Sequence, residues 1–463
     1  MRVGTNTIYQ LGAQGLQKHI SDQAKLQNQL STGRRVLTPA DDPIASSRIL
    51  DIAQSQALNE QYKINSNTAD SSLRMTEATL KQVTDLIHDV SQLAVTAGNP
   101  ALTGAEKKML DSELQGRYKE LLGLANATDG NGLYLFSGYK GDTKPYTEAT
   151  FGNVVYNGDD GQRLVQISQS RNIPVSDSGN DVFSRIKNGN GTFVTAQANS
   201  GAPAFTPTNK GSGIVSPGEV VDPAKWNALP APRDFKVQFY WQPNATKPDA
   251  PTVTYDLIDS TGTSLIDGQA TPRASGSGPR AYVPGGDIEF KQIGAEAWPG
   301  PATDLGIKLS VTGTPLQVDP ATKVPVGAPG AADAFTVAAS TNVDLFKTLG
   351  DLSTALTTYT IDGTGNGQAA FQNQLNTALS NLSNSLTNVL TVQASIGARM
   401  NETDSVRDTN ADMKIQYAQT LRDLRDLDYA EALSDFAQNQ TLLDAARKSF
   451  AQVQSLSLFQ YIN

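Results

Sequence analysis

Proline divides this chain of 463 residues into three stretches, and that division limits the fold more than any other feature. Residues 1–180 hold five prolines (Pro39, Pro43, Pro100, Pro145 and Pro174), and residues 341–463 hold none. The other eighteen of the 23, with Trp226, Trp241 and Trp298, fall in 181–340. A proline inside a helix removes a backbone N–H and clashes with the preceding turn. Long helices are therefore open to the two ends and closed to the middle.

The ends carry a helical period. Leu73, Leu80, Ile87 and Ala94 recur every seven residues, and Thr76, Val83, Val90 and Ala97 follow three residues after each. Seven of these eight positions are apolar, the pattern of helices packed at a shallow angle. Asn99-Pro100 stops this helix, and a third stretch over about 105–126 carries Leu110, Leu114, Leu121 and Leu124. Leu375, Ala378, Leu382, Val389, Val392 and Ile396 make a matching seam, with Ser385 as its exception. The pattern predicts a bundle core of Leu73, Leu80, Val83, Ile87, Val90, Leu375, Leu382 and Val389.

The outermost segments are thinner. Tyr429, Phe436, Leu443 and Phe450 recur every seven residues beside Ala432, Ala446 and Val453, and only Asn439 breaks the set. Near the N-terminus Tyr9, Leu16, Leu26 and Leu30 share a seam that Gly12, His19 and Gln23 interrupt. Six of the first thirty residues are Gln, so this helix buries little and is marginal alone. It is expected to order against a partner helix. We take Tyr9, Leu16, Leu26, Leu30, Tyr429, Phe436, Leu443, Phe450, Val453 and Ile462 as the expected assembly seam.

The middle alternates with period two. Phe235, Val237, Phe239 and Trp241 alternate with Lys236, Gln238 and Tyr240, and Val253, Tyr255 and Leu257 precede a turn at 259–262. Ile307, Leu309 and Val311 repeat the pattern, with shorter strand signals at 154–156 and 164–167. Residues 188–232 and 268–286, rich in Gly, Ser, Pro and Ala, read as loops. The expected fold class is α+β. The terminal segments form a long coiled-coil-like helical bundle, and an all-β domain is inserted between them. Three parts are expected: 1–40 with 425–463, 41–185 with 341–424 including a small hairpin, and the outer insert 186–340.

Composition removes whole classes of chemistry. The chain has no cysteine, which excludes disulfides, thiolate nucleophiles and Cys-ligated metals. His19 and His88 are its only histidines, so a catalytic triad or His-rich metal site has almost nothing to draw on. With 37 basic and 46 acidic residues the net charge is −9, which gives nucleic acid or an anionic membrane no overall field to follow. No run approaches the ~18 apolar residues of a membrane span, and the polar N-terminus lacks the apolar core of a cleavable signal peptide.

No segment carries a phosphate-binding Gly-Lys-Ser/Thr loop or a His-Glu-x-x-His helix. The glycines of 362–367 follow no strand in a βαβ unit. Asn157-Gly158-Asp159-Asp160-Gly161 lacks calcium-loop spacing and reads as a hairpin turn. Asp41-Asp42-Pro43 reads as a helix start rather than an acid–base pair. Arg422 and Asp426 stand four apart as a helix-surface ion pair. No catalytic, cofactor or metal residue is assigned, and no enzyme is expected.

Residues 31–43, Ser-Thr-Gly-Arg-Arg-Val-Leu-Thr-Pro-Ala-Asp-Asp-Pro, resemble the N-terminal signature of the flagellin-like hook-associated proteins. Gly132-Leu133-Tyr134-Leu135-Phe136-Ser137-Gly138 is similar to the family's exit from its helical domain. The runs 395–400 (Ser-Ile-Gly-Ala-Arg-Met) and 426–432 (Asp-Leu-Asp-Tyr-Ala-Glu-Ala) resemble its C-terminal signatures. The ending, Leu456-Ser457-Leu458-Phe459-Gln460-Tyr461-Ile462, resembles the filament-proximal junction branch rather than flagellin. The likeness covers about 1–185 and 341–463, with short echoes at 313–315 and 333–337.

The resemblance implies a structural part of the bacterial flagellum, outside the cell, at the junction of hook and filament. It also implies passage through the flagellar type III export apparatus without a cleaved signal. The implied partners are the hook-proximal junction protein (hook-associated protein 1), flagellin, further copies of the chain in a ring, and an export chaperone on the C-terminal helix. Neither nucleic acid nor membrane insertion is among them. Two other readings stay open on the sequence: a flagellin, or an extracellular glycan- or host-binding protein whose insert stacks sugars on Trp226, Trp241 and Trp298.

Overall fold

The computed structural model describes residues 5–198, 208–247, 250–273, 276–319, 321–322, 324–358 and 366–459. Seven α-helices appear among them: α1 (Thr5–Thr32), α2 (Pro43–Ala97), α3 (Gly104–Ala125), α4 (Pro223–Ala228), α5 (Leu345–Thr358), α6 (Asn366–Arg425) and α7 (Tyr429–Phe459). Six of the seven lie outside 181–340, and the one inside it is six residues long. The chain forms two compact units. The first comprises 1–68, 166–172 and 402–463; the second comprises 69–165 and 173–401.

Helix starts follow local chemistry. Asp42 Oδ1 accepts the N–H of Ala45 at 2.9 Å, and Pro43 takes the first helical position of α2, where no N–H is needed. Thr103 and Glu106 form a capping box at α3, with Glu106 Oε2 accepting the Thr103 N–H at 2.7 Å.

In the second unit the helical core comprises the residues the seven-residue period selects. Leu73, Leu80, Val83, Ile87, Val90, Leu375, Leu382 and Val389 are all buried. The polar exceptions of the seams satisfy themselves: Thr76 and Ser385 are buried, and each hydroxyl donates to the carbonyl four residues earlier. Tyr118, Phe136, Tyr146, Phe183 and Phe346 add a fully buried aromatic group. The Phe136 and Phe183 rings meet edge to face at 5.2 Å.

A hairpin of strands Tyr146–Thr150 and Asn153–Tyr156 docks on α5 through two glycines. A Cβ on Gly152 would lie 2.8 Å from Gly350 Cα, and Gly152 adopts φ +80°. Gly152→Ala should therefore destabilise this unit by roughly 2–5 kcal/mol, combining left-handed strain of ~1–2 kcal/mol with overpacking of ~1–3 kcal/mol. Gly350→Ala should cost less, because the helical preference of Ala over Gly, about 1 kcal/mol, opposes its clash. Chemical denaturation of the two variants checks the order.

The insert builds two antiparallel sheets over one core. The first runs Arg280–Ala281, Thr252–Ile258, Phe235–Gln242, Gly330–Ala339, Phe193–Gln197. In the second, Asp304–Thr312 pairs with Asp287–Lys291, Ile214–Val215 and Glu219–Val220. Phe193, Phe239 and Phe335 from the first sheet pack in one cluster with Phe290, Ile307 and Val311 from the second. Trp226, Trp241 and Trp298 are all buried, so none offers a stacking face to a sugar.

Three readings of the sequence change. Residues 188–232 are not all loop: Phe193–Gln197 is a strand, started by Asn190, whose Oδ1 accepts the N–H of Thr192 and Phe193. Its Gly- and Ser-rich flanks hid the alternation. Residues 157–161 do not turn a hairpin. Asp159 accepts the Tyr139 N–H at 2.9 Å, and Asp160 takes Asn180 and the Arg185 guanidinium, so the loop ties two distant segments together. Asp426 forms its ion pair with Arg425 at 2.9 Å rather than with Arg422. The glycine-rich stretch 362–367 falls mostly on 359–365, outside the described residues, and Asn366-Gly367 open α6.

Candidate assembly interface

In the first unit α1 and α7 pack along each other. Their seam is built from the residues that interrupt the apolar period as much as from those that make it. Gly12 leaves room for the Phe450 ring, whose Cδ2 lies 3.1 Å from where a Cβ would stand. His19 Nδ1 bonds Asn439 Oδ1 at 2.9 Å, and Asn439 Nδ2 donates to the His19 carbonyl at 3.3 Å. Of the four exceptions, Gly12, His19 and Asn439 thus lie on the contact, and the two polar ones among these face each other.

The expected seam residues sort by depth. Leu443 and Ala432 are buried; Leu16, Leu26, Leu30, Phe436 and Phe450 are half-buried. Tyr429 is 53% exposed, with its hydroxyl above Gly33. The side chains of Tyr9 and Val453 and the whole of Ile462 lie outside the described residues. Apolar side chains flanking the seam remain in water: Leu11 and Ile20 on α1, Leu433 and Leu442 on α7. Nearby, α2 leaves Ile44, Leu50, Leu58 and Ile64 exposed, and α6 leaves Met413 and Ile415. A single heptad template finds the stripe that pairs within the chain and passes over these; a second apolar stripe beside the seam was the available signal.

Both helix breaks fall at one level, where two of the signature segments meet. Arg35 N–H donates to the Arg425 carbonyl at 2.7 Å, and Leu427 N–H donates to the Gly33 carbonyl at 3.0 Å. Arg34 and Asp426 form the antiparallel bridge between them. Gln29, buried at the end of α1, donates to the Arg35 carbonyl at 2.6 Å, and Arg35 Nη2 reaches the Leu424 carbonyl at 2.9 Å. Gly33 turns the chain at φ +68°, a conformation that favours glycine. Asp428 restarts the helix by accepting the N–H of Ala430 at 2.9 Å.

Carboxylates tension this clasp. Asp41 accepts the N–H groups of Leu37 and Thr38 and pairs with Lys25 at 2.9 Å. Lys25 first, then the Thr38 amide, hold its carboxyl far below the usual range. Asp42 is lowered chiefly by the Ala45 amide. A depressed folded pKa adds stability above the unfolded value, near 4, and loses it only as pH falls through the lowered one. Amide-exchange protection of Leu37, Thr38 and Ala45 should therefore hold steady from pH 7 to 5 and collapse only in stronger acid. Loss of protection already near pH 5 would contradict these roles.

The tip 166–172 of the hairpin Leu164–Ser168/Arg171–Pro174 is held in the same unit by side chains of α2 and α6. Asn65 Nδ2 donates to the Gln166 carbonyl at 2.7 Å, Asn410 Nδ2 to the Ile167 carbonyl at 3.0 Å, and Arg171 pairs with Glu402. In the second unit Arg399 of the 395–400 signature forks onto Asp177, with Nη1 3.0 Å from Oδ2 and Nη2 2.8 Å from Oδ1. The described residues contain no cluster of His, Asp and Glu able to hold a metal ion. None of their helices is long and apolar enough to cross a membrane.

Residues 3–141 match the bacterial flagellin N-terminal helical region, and residues 379–462 match the C-terminal helical region. The flagellar hook-associated protein 3 of Salmonella typhimurium is 36% identical over 186 residues, 40% of this chain and 58% of that protein. That of Escherichia coli is 26% identical over 460 residues, 99% of each chain. The crystal structure of the flagellar junction protein FlgL from Legionella pneumophila superposes with a TM-score of 0.62 at 27% identity, covering 82% of this chain and all of that one.

Proposed function

The chain belongs to the flagellin family and is similar from end to end to hook-associated protein 3; from that premise we propose that it is a structural protein of the bacterial flagellum, seated between hook and filament. One observation carries the mechanism. The paired terminal helices satisfy one seam within the chain and leave a second apolar surface, Leu11, Ile20, Leu433 and Leu442, for neighbouring subunits. Burying that surface supplies a hydrophobic reason to assemble.

The neighbours we assign are the hook-proximal junction protein below, flagellin above and further copies of the chain in a ring. Before assembly the α7 seam is the face a flagellar export chaperone shields, and the chain leaves through the type III flagellar apparatus. The role is architectural rather than enzymatic. We also retain a three-part division of labour: assembly by 1–40 with 425–463, support by 41–185 with 341–424, and an outer insert over 186–340.

Isolated hooks bearing their hook-proximal junction protein provide the test. Adding the purified chain and then flagellin should grow filaments on the hooks, and flagellin alone should not. Equal growth with and without the chain would overturn the reading.

A further inference from the structure

The α7 seam poses a pairing problem. Ala432, Phe436, Leu443, Ala446 and Phe450 form an apolar face that could pair with a second α7 as readily as with α1. Asn439 interrupts that face and is buried, with its amide bonded both to the His19 ring and to the His19 carbonyl. We propose that the His19–Asn439 pair is the specificity element of the terminal helices, admitting α1 as the partner of α7 and penalising pairing of α7 with another α7. This rests on the reading of α1 and α7 as the assembly pair.

Two independent features support it. A buried amide or imidazole facing only apolar side chains keeps its desolvation cost, so every α7–α7 register except the one that sets Asn439 against Asn439 is disfavoured by the polar residue. The Phe450 ring also lies on Gly12, and α7 contains no glycine, so a second α7 cannot offer that seat. Polar key and glycine seat stand on the same face of α1, seven residues apart. The pair gives up some apolar burial in return for selectivity.

The cysteine-free chain makes the test direct. Ala446→Cys places one thiol on the seam of the full-length protein, and mild oxidation reports α7–α7 contact as a disulfide-linked dimer. In the otherwise native chain we expect little dimer. Adding His19→Leu with Asn439→Leu should raise the rate of dimer formation at least tenfold, and the exchanged pair His19→Asn with Asn439→His should return it toward the native level. Should the Leu pair form dimers no faster than the native seam, or the exchanged pair dimerise as fast as the Leu pair, the proposal is wrong. The assembly reading is scored separately, by filament retention in a strain carrying Leu443→Asp. Retained filaments there would sink that reading whatever the cross-linking shows.

Discussion

Cells whose only copy of this chain carries Leu443→Ala with Phe450→Ala should bear hooks that hold few filaments. Leu443 is 4% exposed on α7, and Phe450 lies against Gly12 of α1. Truncating a buried Leu costs ~2–5 kcal/mol, and a Phe about as much or more. The Gln-rich α1 has little apolar surface with which to absorb that loss. Phe436→Ala with Phe450→Ala should act in the same direction through half-buried rings. The second unit should keep its unfolding transition, because its core contains none of these residues. Secreted amounts should also fall, since the same face is the one we assign to an export chaperone. Gln438→Ala, on the exposed side of α7, should change neither. Shear-resistant filaments and native secretion in the double variants would remove the seam from the account.

The second large effect belongs to Arg399→Ala. Arg399 and Asp177 keep 13% and 8% of their side-chain surface exposed, and the fork between them also touches the Pro174 carbonyl at 3.5 Å. Removing the guanidinium leaves the largely buried Asp177 carboxylate with the neutral Gln162 amide, which donates to it at 2.9 Å. Breaking a buried pair from one side typically costs ~3–5 kcal/mol, far more than an exposed pair, worth ~0–1 kcal/mol. The midpoint of denaturant unfolding of the second unit should drop accordingly, with Arg399→Lys recovering part of the loss as a single rather than forked contact. A change below about 1 kcal/mol would show that the fork stabilises little.

What the sequence made legible was periodicity over long stretches. Leu73 to Val90 and Leu375 to Val389 sit where a seven-residue repeat puts them, because a helix that long has one face to bury and few ways to do it. Alternation found Phe235–Gln242 and Thr252–Ile258 for the same reason. The short strand Phe193–Gln197 stayed hidden, because five residues between glycines carry too little pattern and its neighbours come from far along the chain.

The interface was half legible. Each terminal helix, read alone, shows Gly12, His19 or Asn439 as a flaw, and only the pairing of distant segments turns the flaws into contacts. The signature segments fared similarly. The sequence identified 31–43 and 426–432 as related to one family, but the clasp they form depends on backbone hydrogen bonds that no side-chain pattern encodes.

The central claim is that this chain joins filament to hook, and electron microscopy of cells lacking its gene tests it most directly. We expect complete hooks without filaments, unpolymerised flagellin in the medium, and recovery of filaments when the intact chain is restored. Cells without the gene that carry full-length filaments of normal number would contradict the account.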